Sequence, residues 1–274
     1  MKSQSGKSFY GKRFVLIGCM ALTLFSEAWG SSFCRCEPEE WETFRAYVAP
    51  QIERIKLTIE DFAIYRGVLK GGSVGFEYKP FCDFYCGVFG EWMMGSCNSE
   101  EEMSRYLHDI NGKFRFGYTF PMWNLYKLTF TPFFGLGFEQ IIHHIRSDLV
   151  LTSEKFRYDH YYLPFGLLVD LRISPLFGIG VVAERDKSIN QKLKTPYIQG
   201  IKFTLRNESG YLIEFPFNFY IGSNRLKGGI SFVPYLRHVV DGRLHARLPV
   251  TATLTMPEQK YTFWGLKGVM GVVF

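Results

Sequence analysis

No apolar run in this 274-residue sequence is long enough to cross a bilayer as a helix. Crossing takes ~20 residues, and the longest run, Phe14–Phe25, falls well short. Lysine and arginine never gather into a block that would hold nucleic acid or a polybasic membrane contact. A phosphate-cradling glycine loop is also missing, because "GLGF" and "GIGVV" lie inside alternating segments instead of opening helices. Cysteine is sparse, and the spacings Cys34-x-Cys36 and Cys82-x3-Cys86 are not a zinc-knuckle pattern and have no histidine close by in sequence. These gaps argue against a nucleotide-dependent enzyme, a metal site, a bound cofactor and a nucleic-acid partner.

Four basic residues, Lys2, Lys7, Lys12 and Arg13, precede the apolar run, and small residues at Ala28 and Gly30 follow it. This is the layout of a secretory signal peptide, so residues 1–30 are expected to be removed on export. A single-span anchor is one rival; a lipobox-like "LIGC" (Leu16–Cys19), preceded by little apolar sequence, is another. Removing 1–30 lowers the net charge from +6 to +3, leaving 28 basic and 25 acidic residues, so much of the basicity belongs to the leader. Five cysteines remain, Cys34, Cys36, Cys82, Cys86 and Cys97. In an exported chain that number implies disulfides and leaves one thiol over. Cys86, inside "FYCGVFGEW", reads equally well as a small strand residue.

Aromatic residues are abundant, at 18% of the chain, and they alternate as strand residues do. "GKFRFGYTF" sets Phe114, Phe116, Tyr118 and Phe120 against Lys113, Arg115, Gly117 and Thr119. "YKLTFTPFFGLGFE" and "YLPFGLLVDLR" repeat the pattern, as do "GGSVGFEYK", "LFGIGVVAE", "YLIEFPFNFY" and "LKGGISFVPYLR". The less apolar face is glycine with isolated charges: Glu77, Glu91, Arg115, Asp170, Arg172, Glu184, Glu214, Lys227, Arg237 and Lys267. A soluble β-sandwich would show a hydrated, Lys/Glu/Ser/Thr-rich face there. Glycine with charges of both signs suits a crowded barrel lumen, and the aromatic face suits lipid.

Nine such strands are countable, and the segments between them alternate between short turns ("PFCD", "PMWN", "SPL", "GSNR") and long stretches (95–111, 140–157, 185–209, 238–259). Short turns on one side are periplasmic in outer-membrane barrels. An even number of strands then needs a tenth, for which "RIKLTIE", with Ile55, Leu57 and Ile59 on one face, is the candidate. Trp41, Phe44, Val48, Ile52, Ile55, Ile59 and Phe62 also follow a helical stripe interrupted by Pro50, and a helix there would leave eight strands. The expected organisation is a leader over 1–30, a periplasmic segment over 31–53 and an antiparallel up-and-down transmembrane barrel over 54–274, all-β, with ten strands favoured over eight.

Few residues offer chemistry. Asp159 and His160 are adjacent, so a strand points them to opposite faces, and His143, His144 and Asp148 lie in the preceding stretch. That arrangement has a distant similarity to the omptin proteases, whose rim carries acidic and histidine residues. Ser231 has no neighbouring histidine assignable from sequence, against the needs of a serine hydrolase. The acidic stretch Glu100, Glu101 and Glu102 reads as a solvated loop.

The leader, the aromatic strands and the terminal Phe274 give the chain a resemblance to the small bacterial outer-membrane β-barrel proteins, the outer membrane protein A-like and W-like group. The cysteine content is similar to that of envelope proteins of chlamydia-type bacteria. The resemblance implies residence in the bacterial outer membrane among its lipids, insertion by the barrel-assembly machinery reading Phe274, and periplasmic Cys34, Cys36 and Cys82 bonded within the barrel or to other envelope proteins. The expected role is non-enzymatic: a narrow, side-chain-filled lumen carrying surface loops for envelope structure or interaction. A small porin-like solute channel and a rim hydrolase, omptin-like or acting on lipid, are the alternatives.

Overall fold

A computed structural model describes residues 43–99, 104–122, 125–147, 150–194, 203–206, 209–222, 227–241, 243–247 and 253–273. The expected leader, Cys34, Cys36, Glu100, Glu101, Glu102 and Phe274 lie outside that set. In chain order the strands are β1 (Phe44–Ile59), β2 (Ala63–Tyr78), β3 (Phe84–Ser99), β4 (Ser104–Tyr118), β5 (Phe120–Met122), β6 (Leu125–Ser147), β7 (Val150–Ser174) and β8 (Phe177–Lys194). They continue as β9 (Phe203–Arg206), β10 (Ser209–Glu214), β11 (Phe217–Gly222), β12 (Lys227–Asp241), β13 (Arg243–Arg247), β14 (Thr253–Met256) and β15 (Gln259–Val273). No helix among the described residues is long and apolar enough to cross a membrane.

Every long ladder is antiparallel, and β1 pairs with β2 on one side and β15 on the other, which closes the sheet into a ten-position barrel. Consecutive β10 and β11 together fill the position between β8 and β12. The segment "RIKLTIE" is strand, not helix, and β1 begins at Phe44, so residues 44–53 belong to the barrel wall and not to a periplasmic segment. Pro50, which interrupts the helical stripe, is accommodated because the β15 ladder skips Ala49 and Pro50 between Val48↔Met270 and Gln51↔Lys267. Proline has no N–H to give to that ladder.

Outward positions carry the large apolar residues: Val48 and Ile52, Val74 and Phe76, Val88 and Trp92, Phe134 and Leu136, Phe165, Phe217 and Phe232, and Trp264, Leu266 and Met270 are all exposed. Such a continuous apolar exterior is stable only in lipid. At the end with the short turns, the periplasmic one, paired rings edge the band: Phe44 with Tyr78, Phe84 with Tyr118, and Phe177 with Phe219, at centroid distances of 4.9, 5.5 and 5.0 Å. Aromatic belts occupy membrane–water interfaces for this reason.

Toward the other end the alternation changes phase. On β1 the outward residues become Arg54, Lys56 and Thr58, while Ile55, Leu57 and Ile59 turn inward and are buried. The same inversion places Tyr261 and Phe263 inside on β15, and Val239 on β12. Above the bilayer the exterior meets water, so polar residues face out and the apolar ones pack inside. The stretches expected as long loops are accordingly strand for much of their length: β3 runs to Ser99, β4 starts at Ser104, β6 reaches Ser147 and β7 starts at Val150.

Candidate functional site

The lumen is the space the described strands enclose, and its contents form layers. Inward positions fall on odd residues in β1–β4, β6, β12 and β15, so one side chain in two from each strand enters. Two inward-facing glycines leave room for a ring on the next strand. Gly265 lies directly opposite Tyr235, and a Cβ there would meet the Tyr235 ring at 2.3 Å. Gly137 holds Tyr162 in the same way, at 2.2 Å. Exchanging Gly265 for leucine is expected to expel the Tyr235 ring and break its hydroxyl's 2.6 Å hydrogen bond to Glu53 Oε2. A lower urea midpoint for loss of the folded gel band would show it.

The middle layer is ionic. Arg237 Nη1 donates to Asp109 Oδ2 at 2.9 Å and lies 3.9 Å from Glu91 Oε1, while its Nη2 pairs with Glu139. Lys267 Nζ donates to Glu214 Oε1 at 2.8 Å and to Glu91 Oε2 at 3.2 Å. Glu184 receives Lys113 Nζ at 2.7 Å and pairs with Arg115, whose guanidinium lies between the rings of Phe89 and Phe133 at 4.9 and 4.7 Å. Nearer the periplasm, Lys79 Nζ donates to Asp170 Oδ2 at 2.7 Å, and Tyr85 donates to Glu77. Arg172 gives its Nε–H to the Ser174 carbonyl and lies over the Tyr220 ring, and Lys227 is buried at the first position of β12. Of the charges singled out in the sequence, eight thus take part in cross-strand pairs or bonds, joined by Lys113 and Glu139, which the alternation set on the same face, and by Glu53, Lys79 and Asp109.

Above this layer sits an apolar plug. Ile55, Leu57, Ile59, Tyr65, Leu69, Met93, Cys97, Leu107, Ile141, Tyr158, Leu193, Val239, Tyr261 and Phe263 form one buried cluster drawn from every barrel position except that of β10 and β11. Two of its tyrosines bond to polar side chains beside it: Tyr261 donates to Gln259, Gln259 Nε2 donates to the Tyr158 hydroxyl, and His143 Nε2 lies 3.0 Å from the Tyr261 oxygen. Two cavities, of about 110 and 60 Å³, lie on the periplasmic side of the plug. The larger is lined by Arg45, Glu77, Lys113, Glu184, Glu214 and Lys267 among others, and no plug residue lines either.

The histidines stand apart. Asp159 faces outward, bound by Arg157, Gln140 and Lys194 at 2.7, 3.0 and 2.6 Å, whereas His160 faces the lumen with its Nδ1 3.4 Å from Glu139. His144 and His108 touch on the exterior above the bilayer, ring centroids 5.6 Å apart. Partial burial, then Lys155 and His108, hold the His144 imidazole below its usual pKa. Ser231 donates to Asn218 Oδ1 and accepts from Arg45, with no histidine in the set. Cys82, in the turn after β2, is disulfide-bonded, Cys86 is half-buried on the lipid face of β3, and Cys97 is a buried thiol. No group of three or more histidine, cysteine or acidic residues able to hold a metal ion occurs among the described residues.

The chain is a transmembrane β-barrel of the bacterial outer-membrane type. No family model matches it, and no curated protein is similar to it in sequence. Among solved structures it is similar to the translocator domain of the autotransporter NalP from Neisseria meningitidis, at 10% identity over 98% of this chain and 99% of that one, with a TM-score of 0.43. It is also similar to the outer membrane protease OmpT from Escherichia coli, at 9% identity over 85% and 97% and a TM-score of 0.46. The attachment invasion locus protein Ail of Yersinia pestis follows at 8%, 85% and 99%, with a TM-score of 0.35.

Proposed function

We propose that this barrel is closed and non-enzymatic: an outer-membrane scaffold that holds its extracellular strand extensions as an interaction surface and conducts no solute. The apolar plug carries the reading. Nine of the ten barrel positions contribute to it, and a solute crossing from the outside would have to displace buried side chains close-packed across the bore. Beneath the plug the bore is crossed by paired charges, Arg237 with Asp109 and Glu139, Lys267 with Glu91 and Glu214, and Glu184 with Lys113 and Arg115. Proteoliposomes carrying the protein should not swell in an isotonic solution of a small sugar; swelling at a porin-like rate would establish the channel alternative.

The hydrolase alternative needs a nucleophile, a base and an orienting acid in mutual reach. The separation of Asp159 from His160 across the wall, and the bonding of Ser231 to Asn218 and Arg45 instead of a histidine, support the non-enzymatic reading. The detergent-solubilised protein is expected to cleave neither peptide nor lipid; turnover lost in His160→Ala or His144→Ala would restore the rim hydrolase. For partners, the reading keeps membrane lipid, the barrel-assembly machinery through Phe274, and disulfide exchange involving Cys34, Cys36 and Cys82 with other envelope proteins. Deleting Phe274 should lower the amount of heat-modifiable protein in the outer membrane.

A further inference from the structure

Arg45 on β1 and Glu77 on β2 lie directly opposite each other in the ladder, both at inward positions near the periplasmic end of the lumen. Opposite charges so placed ordinarily pair with each other. Instead, Arg45 Nη2 donates to the Ser231 hydroxyl at 2.9 Å, and Glu77 accepts from the Tyr85 hydroxyl at 3.2 Å. Neither charge has an ion-pair partner among the described residues. Lys79 and Arg115, cations that share this space, are held by Asp170 and Glu184.

Both residues line both cavities. The smaller cavity reaches Thr43 and Val273, at the periplasmic ends of β1 and β15, so a solute on that side has a short way in. The larger adds Tyr47, whose hydroxyl makes no hydrogen bond among the described residues, and Ser73, whose buried Oγ has no partner either. Buried polar groups are as a rule hydrogen-bonded, and those facing a cavity take their partner from what fills it. About 110 Å³ admits only a few heavy atoms, far less than the pocket of a drug-sized ligand. We propose that Arg45 and Glu77 together bind a small zwitterion, an α-amino acid with a short side chain, its carboxylate on the guanidinium and its ammonium on the glutamate. An anion alone would leave Glu77 unmatched, and a cation alone would leave Arg45 so. Tyr47 and Ser73 supply hydroxyls for the ligand's remaining hydrogen bonds.

Equilibrium dialysis of radiolabelled glycine or alanine against the full-length barrel in detergent tests the site. The wild type should bind saturably, and unlabelled glycine should displace the label while acetate, methylammonium and phenylalanine at the same concentration should not. Glu77→Gln keeps an acceptor for Tyr85 and Arg45→Gln keeps a donor for Ser231, so both variants should show the heat-modifiable band. Each should bind roughly tenfold more weakly or worse, the loss of one charge-assisted hydrogen bond. The competition experiment needs no variant and decides the matter even where one fails to fold. Absence of saturable binding by the wild type would mean a cavity that holds water only, and would overturn the proposal. Displacement by acetate or methylammonium as effective as by glycine would overturn it too, as would undiminished binding in both variants.

Discussion

Exchanging Arg237 for alanine should cost about 3–5 kcal/mol, the typical result of stripping one partner from a buried ion pair. Arg237 is buried, with its guanidinium shared among Asp109, Glu139 and Glu91 and stacked 5.1 Å from the Phe263 ring. Truncation leaves carboxylates facing one another, with only Lys267 left beside Glu91. Desolvation makes that arrangement far more costly than the lost attraction alone. Arg237→Lys restores the charge without the fork that reaches two carboxylates at once, so it should recover part of the loss. Adding Asp109→Asn and Glu139→Gln to Arg237→Met removes the stranded charges and should recover more. Urea titration of the folded gel band in detergent decides the matter: if Arg237→Ala and the triple variant unfold together with the wild type, the ionic layer does not hold the barrel.

The plug should be comparably sensitive. Phe263 is 1% exposed and stacked parallel to Tyr261 at 6.1 Å. Phe263→Ala leaves a cavity that rigid strands cannot collapse around, at an expected cost of about 3–5 kcal/mol. Leu266→Ala, three residues along and exposed to lipid, should cost clearly less, because lipid chains refill the space it vacates. Equal losses at the two positions would mean that the interior is no better packed than the lipid face. A leucine or methionine at 263 should retain much of the stability, as shape-tolerant core exchanges do.

The barrel was legible in the sequence because below the extracellular rim the code is uniform. "FWGLKGVMGVV" places Trp264, Leu266, Met270 and Val272 outside and Lys267 inside, and the ladder with β12 follows that phase. Parity supplied the tenth strand, which a helical stripe disguised. The plug was not legible because the same residue types serve both environments. In "RIKLTI" the apolar set moves to the other face with no bulge to mark the change, since only the surrounding solvent differs. Asp109 was hidden for a related reason: it lies in a stretch, 95–111, that looked like a loop, whereas β4 continues through it. Glu53 sits in β1 where strand and helix patterns overlapped. Sequence spacing also could not pair charges across the bore: Arg237 and Asp109 are 128 positions apart and meet only because the sheet closes.

In the proposed closed barrel, packed side chains seal the extracellular half of the lumen. Single-channel recording of the purified protein in planar bilayers tests it most directly. The structure predicts a quiet baseline with no sustained unitary steps, and the appearance of flickering conductance when Leu69, Leu107 and Phe263 are together reduced to alanine. Stable, ion-selective steps from the wild-type protein would contradict the sealed lumen.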